Sequence, residues 1–430
     1  MKTVIMAGGK GTRITSVNSE VPKPMLQILN NPILEYQIEC LREQDYKDIT
    51  IVIGYLGDVI KSYFGNGERF GVDIKYIIED EPLGTAGSLF FLKDELIDDF
   101  VLLNGDIIFD IDMKRFYEFH KEKRSLITLF THPNDHPFDS GIIVTNDDNQ
   151  VIDWLHKEDK RNWYQNRVNA GIHFLSPGVF EILFKRDIFL NKEKVDLDRD
   201  ILKPLIETAR IYAYDSPEYV KDMGTPERYS SVVNDINSGK VRDRNLSKKQ
   251  KAIFIDRDGT INKKVSFLKN IDDFELLDGV IDAIKKINES NYLAIVVTNQ
   301  PVIARGDLTL EELKEIHNKM ETMLGEQGAY LDDILFCPHH PDKGFLGERL
   351  EYKIKCDCRK PNPGLILKAC EKYNIDVSKS WMIGDSIMDV EAGKNAGCNK
   401  ALIDKNKVMI NDFKESIFSS LLECVNEILN

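Results

Sequence analysis

Three things are scarce in this chain, and each scarcity excludes a class of protein. Cysteine is the first: there are seven in 430 residues, an odd number, and only Cys337, Cys356 and Cys358 lie near one another. A disulfide framework of the secreted kind is therefore not expected. Long apolar runs are the second. The opening "MKTVIMAGGKG" is interrupted by glycine before a signal-peptide core could form, and no later stretch approaches the roughly 20 apolar residues that cross a bilayer. This predicts a cytoplasmic protein without a membrane partner. Positive charge is the third: 57 Lys and Arg face 71 Asp and Glu, a formal net charge of -14. Such an envelope disfavours nucleic acid and anionic membranes as partners and leaves small molecules, including phosphorylated ones held in a local basic pocket. No repeat at a solenoid period and no low-complexity tract is present.

What is there is enough apolar residue, 42%, to build at least two cores at ordinary domain size. β-Branched runs ("TVIM", "DITIVIGY", "FVLLNGD") alternate with helix-like segments such as "PILEYQIECLREQ", where Ile33 or Leu34, Ile38 and Leu41 recur at helical spacing behind a proline suited to a first turn. Alternation of this kind predicts an α/β protein whose mostly parallel sheets are covered by helices on both faces. The pattern lapses in the charged stretch "NDINSGKVRDRNLSKKQK" and restarts with "AIFIDRDGT". Two tandem domains are expected, residues 1–238 and 251–430, joined by a linker over 239–250.

In the first half, "MAGGKGTR" follows the first strand, and Gly8, Gly9 and Gly11 let the backbone approach a phosphate chain closely. A tight turn without a ligand would look the same. Arg13 within the loop, and Lys23 held between prolines in "VPKPM", add two cations, a set that suits a polyphosphate. Further on stand "EPLGTAG", "LLNGD" with Asp106, "VNAGI" and "DMGTPERY" with Asp222. In this order the set resembles the sugar-1-phosphate nucleotidyltransferases over nearly the whole half. The resemblance implies a glycosyltransferase-A-like mixed sheet of Rossmann type. It implies that Arg13, Gly8, Gly9 and Gly11 hold the triphosphate, with Lys23 on the reacting phosphates. Gly84 and Thr85 would pack on the nucleobase, and Asp106 with Asp222 would ligate Mg²⁺. Gly141, Lys157, Asn169 and Gly171 would lie along the sugar phosphate. His156 stands where the family usually has glutamate, which leaves the sugar open. Glu79 and Glu81 precede the base-packing turn, and one of them accepting the paired N–H donors of guanine would select GTP; solvated loop carboxylates are the alternative.

In the second half, "AIFIDRDGTIN" ends a buried strand with Asp256 and Asp258, two carboxylates whose repulsion asks for a cation or for divided roles. "IVVTNQ" ends another strand with Thr298, "CRKPNPG" supplies Lys360, and "MIGDSIMD" ends a third strand with Asp385. This order resembles the haloacid dehalogenase-type phosphatases, and with "IARG" and "CDCRKP" it is most similar to the D-glycero-D-manno-heptose 1,7-bisphosphate 7-phosphatases. The resemblance implies a Rossmann-like parallel sheet in which Asp256 is the nucleophile and Asp258 the general acid and base. Thr298 and Lys360 would hold the transferring phosphoryl group, and Asn299, Arg305 and Arg359 the substrate. Mg²⁺ would sit on Asp256, Asp258 and Asp385. Asp389 would anchor that shell or start a helix. "NQPVIARG" departs from the family's commoner Ser-Gly at Pro301 and Val302, leaving anomer and substrate choice open.

Cys337, His339, Cys356 and Cys358 form Cys-x-His and Cys-x-Cys pairs closed by a loop. That is the ligand set of a structural Zn²⁺ site with no open position, with metal-free buried thiols as the alternative, and the phosphatase resemblance implies the same four ligands. Together the halves imply a bifunctional enzyme that dephosphorylates a heptose bisphosphate and joins the heptose 1-phosphate to a nucleotide from GTP. A hexose-directed pair of activities, or one catalytically silent regulatory half, are the alternatives, and self-association into a homo-oligomer is left open.

Overall fold

The computed structural model describes residues 1–9, 21–189, 192–265, 268–344, 346–405 and 416–430. The chain forms two compact units. The first comprises residues 1–132, 143–155 and 168–245; the second comprises 246–430 together with two short stretches, 133–142 and 156–167.

The first unit is built on a nine-stranded mixed sheet. Its strands are β1 (Lys2–Met6), β2 (Asp48–Ile53), β3 (Asp73–Ile78), β4 (Phe100–Asn104), β6 (Ile127–His132), β7 (Ile142–Thr145), β8 (Val151–Leu155), β9 (Val168–Leu175) and β10 (Ile211–Asp215), while β5 (Ile107–Asp110) and β11 (Tyr219–Asp222) form a separate antiparallel pair. The spatial order is β8-β7-β9-β4-β1-β2-β3, with β6 also pairing β9 and β10 pairing β6. β4, β1, β2 and β3 run parallel, and β9 lies antiparallel to β4. Alternation along the strands divides their side chains between two cores: Ile5, Ile51, Val101 and Leu103 enter one, Val4, Val52, Phe100 and Leu102 the other. Helix α1 (Ile33–Glu43) buries Leu34, Ile38 and Leu41 in the first of these.

The second unit carries a six-stranded sheet that is parallel throughout, in the order β14-β13-β12-β15-β16-β17. The strands are β12 (Lys251–Ile255), β13 (Tyr292–Asn299), β14 (Asp333–Cys337), β15 (Trp381–Gly384), β16 (Asn399–Ile403) and β17 (Ile417–Phe418). Ile253, Ile255, Val296 and Ile383 face one core and Ala252, Phe254, Ile295 and Met382 the other, as a sheet covered on both sides requires. Helix α3 (Leu310–Gly325) begins at a capping box: Thr309 Oγ1 accepts from Glu312 N at 3.1 Å, and Glu312 Oε2 accepts from Thr309 N at 2.7 Å.

The stretch 156–167 is attached to α3 by polar contacts, and the stretch 133–142 is attached to it in turn. Arg161 fastens them to each other, donating to the carbonyls of Ser140 (2.6 Å), Pro137 (3.0 Å) and His156 (3.1 Å). Tyr164 N donates to Thr322 Oγ1 at 3.0 Å, and Arg167 Nη1 pairs with Glu321 Oε1 at 3.0 Å, their side chains only 5% and 2% exposed. Arg167 Nη2 also donates to the Asp332 carbonyl at 3.1 Å. Arg167→Ala would leave the Glu321 charge buried without this cation, a loss of about 3–5 kcal/mol. Faster amide hydrogen exchange across α3 is the expected readout; unchanged protection there would contradict it.

Candidate active sites of the two units

In the first unit, β1 and β4 are neighbours with Met6 opposite Asn104, so the turns that follow them emerge side by side. Gly105 N donates to Met6 O at 2.9 Å and joins the two turns. A cavity of about 220 Å³ opens there, lined by Gly8, Gly9, Lys23, Glu79, Gly84, Thr85, Asn104 and Asp106, among others. Lys23, in the short 3-10 turn Lys23–Met25 behind Pro22, places its Nζ 2.5 Å from Asp106 Oδ2. Glu79 is half-buried; burial raises its carboxyl above the ordinary range against the pull of its hydrogen bond from Ser88 Oγ. A Cβ at Gly8 would meet Glu79 Oε2 at 2.7 Å, so the glycine lets the carboxylate reach the turn. Glu81 is exposed and is not among the lining residues. Thr85 Oγ1 accepts from Leu197 N at 2.7 Å and holds the loop from below.

Asp222 ends β11, opposite Ile107 of β5 and so one residue along from Asp106, and Met223 N donates to Asp106 O at 3.2 Å. Its carboxylate accepts from Gly224 N at 2.7 Å and from Arg228 Nη1 at 2.8 and 3.0 Å; Arg228 lies on α2 (Pro226–Asn237). Asn169 and Gly171 stand at the irregularity in β9, where Asn169 Oδ1 accepts from Gly171 N at 3.4 Å and contacts His173 Nε2 at 2.9 Å. Gly171 has φ +74°, and a Cβ there would come within 2.5 Å of Asn104 Nδ2 at the cavity wall. Gly141 and Lys157 belong to the second unit, where Lys157 is exposed. Gly11 and Arg13 lie outside the described residues.

In the second unit, β12 runs between β13 and β15, and the ends of these three strands deliver Asp256, Thr298 and Asp385 to one edge, the position where open parallel sheets bind ligands. Lys360, 3% exposed, donates to Asp256 Oδ1 at 2.6 Å and to the Val297 carbonyl at 2.7 Å, and pairs with Asp389 Oδ1 at 2.6 Å. Burial, reinforced by Asp389 and Asp258 and opposed by Lys360, pushes the Asp256 carboxyl up to about 7. Asp389 Oδ2 also caps α5 (Ile387–Ala396), accepting from Ser386 N at 3.0 Å and Ser386 Oγ at 2.7 Å. Oxygens of Asp256, Asp385 and Asp389 all lie within 4.8 Å of one another, an all-oxygen donor set of the kind hard divalent cations take. Gly259, at φ +93°, leaves the room that the Asp385 carboxylate occupies.

Asp258 stands outside that triad. Burial works to raise its carboxyl, but the Arg257 charge and a shell made only of donors hold it below the usual range. Arg257 Nη2 reaches both its oxygens at 2.9 Å, Gln300 Nε2 donates at 2.8 Å and Asn262 Nδ2 at 3.0 Å. Thr298, almost fully buried, accepts from Gln300 Nε2 at 3.0 Å. The Asn299 amide is engaged by the Lys360 backbone, with bonds of 3.0 Å in both directions. Arg359 Nη1 donates to the His339 carbonyl at 3.2 Å, and Arg305 Nε to Asp307 at 3.2 Å. Sequence reasoning passed over Asn262, Gln300 and Arg257; their only signal was proximity to the aspartate and threonine motifs.

The Cys337, His339, Cys356 and Cys358 ligand atoms also gather within 4.8 Å. The three Sγ atoms are 3.1 to 3.6 Å apart, and His339 Nδ1 lies 3.2 Å from Cys358 Sγ. These separations exceed any disulfide and approach the roughly 3.8 Å edge of a sulfur tetrahedron around Zn²⁺. Burial pushes the Cys337 and Cys358 thiols up.

Comparison with known proteins gives a different family for each half of the chain. A nucleotidyl transferase family model matches residues 2–239, and a HAD-hydrolase-like model matches residues 357–419. The D-glycero-beta-D-manno-heptose-1,7-bisphosphate 7-phosphatase of Yersinia pestis is 43% identical over 157 residues, 36% of this chain and 81% of that protein. The corresponding protein of Escherichia coli K12 is 40% identical over 163 residues, 38% of this chain and 83% of the relative. Among solved structures, HddC from Yersinia pseudotuberculosis complexed with GMP-PN is 26% identical, covering 55% of this chain and 99% of that one with a TM-score of 0.46.

Proposed function

Since the chain belongs to the nucleotidyl transferase family over residues 2–239 and, in its second half, to the heptose bisphosphate 7-phosphatases, we propose that it carries out two consecutive steps. It would remove the 7-phosphate of a heptose 1,7-bisphosphate and then join the heptose 1-phosphate to a nucleotide from GTP. One observation carries the reading: in each unit a lysine is set against carboxylates beyond parallel strand ends, Lys23 on Asp106 and Lys360 between Asp256 and Asp389.

In the phosphatase reaction an Asp256 oxygen attacks the 7-phosphorus as the bond to the sugar oxygen breaks, leaving an aspartyl-phosphate. Asp258 gives its proton to the departing oxygen. It then takes one from the water that releases phosphate and restores Asp256. The donor shell around Asp258 suits the second task, in which the carboxylate is the reactive form. Lys360 balances charge on the transferring group, and Asn299 fixes the Lys360 backbone. In the transferase reaction an oxygen of the sugar 1-phosphate attacks the α-phosphorus and pyrophosphate leaves, so the unit has only to position and neutralise two anions. Gly8 and Gly9 offer backbone approach, and Lys23 offers charge. Asp106 with Asp222, and Asp256 with Asp385 and Asp389, are the residues that would hold Mg²⁺, which when bound supplies the remaining neutralisation of phosphate charge. The Cys₃His set would hold a structural Zn²⁺.

Glu79, the carboxylate on the cavity wall, is assigned to the guanine N1–H and N2–H pair. Pyrophosphate release measured with each triphosphate tests this: GTP is expected to be preferred, and Glu79→Gln to lower kcat/KM for GTP about 10- to 100-fold. A preference for UTP or dTTP in the wild-type protein would remove the assignment.

A further inference from the structure

Helix α1 turns one face to the core of the first unit, and an amide stands on that face: Gln37, fully buried, among Ile33, Leu34, Ile38 and Leu41. A buried amide needs partners. Gln37 Nε2 donates to the Asn104 carbonyl at 2.9 Å and to the Ile107 carbonyl at 2.8 Å. Its Oε1 is buried and has no hydrogen-bond partner among the described residues. An apolar side chain would avoid that orphaned oxygen, so what the amide brings to the position is its two N–H groups. The carbonyls they meet flank Gly105 and Asp106. Both converge on one nitrogen, which fixes the span of the turn. The peptides between are held by backbone bonds, Gly105 N to Met6 O at 2.9 Å and Met223 N to Asp106 O at 3.2 Å. From this turn the Asp106 carboxylate meets Lys23 Nζ, and Ile107 stands opposite Asp222.

Two turns further along α1, Gln44 caps the helix and holds the chain just beyond the other end of β5. Its Nε2 donates to the Ile111 carbonyl at 2.8 Å, and its Oε1 accepts from Met113 N at 2.9 Å. One helix therefore clasps β5 at both ends with the same side-chain type. The Gln37 end is the one at the cavity, whose wall includes Asn104, Gly105 and Asp106.

We propose that Gln37 is a positioning residue of nucleotidyl transfer: by holding the carbonyls on either side of Asp106 it keeps that carboxylate facing the reacting phosphates. This rests on the transferase reading above. Without the two donors, the buried carbonyls turn toward other partners and carry Asp106 with them. The groups that grip the nucleotide are fixed elsewhere. Ala7 N donates to Val52 O at 2.9 Å ahead of the glycine turn, and Glu79 is held by its own N–H on Ile53 O at 2.8 Å and by Ser88 Oγ. Binding of the triphosphate is spared, and the chemical step slows.

The test uses the full-length protein with GTP and a heptose 1-phosphate, and the Gln44 end of the clasp is its structural control. Gln37→Leu is expected to lower the single-turnover rate of pyrophosphate formation about 10- to 100-fold, the scale of a misplacement of about 1 Å at a reacting centre. The KM for GTP is expected to change by less than about threefold. Gln44→Leu, which removes the same kind of contact away from the cavity, is expected to lower the melting temperature but to leave the single-turnover rate within about threefold. Phosphate release from a heptose bisphosphate should be unchanged in both variants. If the Gln37→Leu protein does not fold, Gln37→Asn, whose shorter amide falls short of both carbonyls, serves for the same comparison. Equal rate losses in the Gln37 and Gln44 variants, a loss confined to the KM for GTP, or an unchanged rate in a folded Gln37 variant would overturn the role. Wild-type protein that forms no pyrophosphate with any triphosphate would refute the transferase reading and this role with it.

Discussion

Asp256→Asn is expected to reduce phosphate release from a heptose bisphosphate by at least about a thousandfold, while pyrophosphate release by the same protein stays within about twofold. Asparagine keeps the shape of the side chain and an oxygen that can still accept from Lys360, so the site remains assembled. Lys360 also retains Asp389 at 2.6 Å and the Val297 carbonyl at 2.7 Å. What disappears is the nucleophilic charge. Burial is the main reason the Asp256 carboxyl is pushed up to about 7, with Asp389 and Asp258 adding repulsion. A neutral amide in that place therefore relieves the metal-free protein of an unfavourable charge, and the melting temperature should not fall. This is the usual trade of stability for activity at a catalytic group. Lost turnover accompanied by a lower melting temperature would indicate a structural role instead, and phosphatase activity within tenfold of wild type would remove Asp256 from the chemistry.

The strand ends that carry this chemistry were legible because a parallel strand buried on both faces writes itself as an apolar run, and the first polar residue after the run is the one delivered to the sheet edge. "AIFI" before Asp256 shows this, and in "VLLNGD" the run ends at Asn104 on the cavity wall, two residues before Asp106. Glycines after strands were legible for a related reason, since a Cβ at Gly8 would meet Glu79 Oε2 at 2.7 Å. The attachment of residues 133–142 and 156–167 to the second unit was not legible. It depends on Arg161, Tyr164 and Arg167 finding Thr322, Glu321 and backbone carbonyls far away in sequence, and polar residues in loops carry no periodicity that names a partner. The grip of Arg257 on its own neighbour Asp258 was hidden too. Spacing shows that two aspartates share a strand end but not how the turn after it directs each carboxylate. Asp389 was read as either a shell anchor or a helix start, and it caps α5 while pairing with Lys360. A carboxylate has two oxygens, and here each has one of those tasks.

Cys358→Ala is expected to strip the protein of one equivalent of zinc and to lower phosphatase turnover at least about a hundredfold, with nucleotidyl transfer preserved. Magnesium addition should not restore it. The expectation follows from how little else orders the loop. Leu346, Leu350 and Ile354 are exposed to solvent, so residues between the two ligand pairs lack an apolar core of their own, whereas a structural zinc site contributes roughly 10–16 kcal/mol to the fold it closes. Three sulfurs 3.1 to 3.6 Å apart with no bond between them are held together best by a shared cation. What the loop orders is the approach to Lys360. Cys358 is followed at once by Arg359, whose Nη1 bonds the His339 carbonyl, and by Lys360, while Asn362 Nδ2 returns to the Cys356 carbonyl at 2.8 Å. Release of the Cys-x-Cys pair frees the backbone on the amino-terminal side of Lys360. Asn299 on the Lys360 backbone, with Asp389 and the Val297 carbonyl on Nζ, then has to keep the ammonium group 2.6 Å from the nucleophile. Zinc-free protein that keeps full phosphatase turnover would show that Asn299 and α4 (Gly364–Lys372), which starts just beyond, suffice to place that lysine.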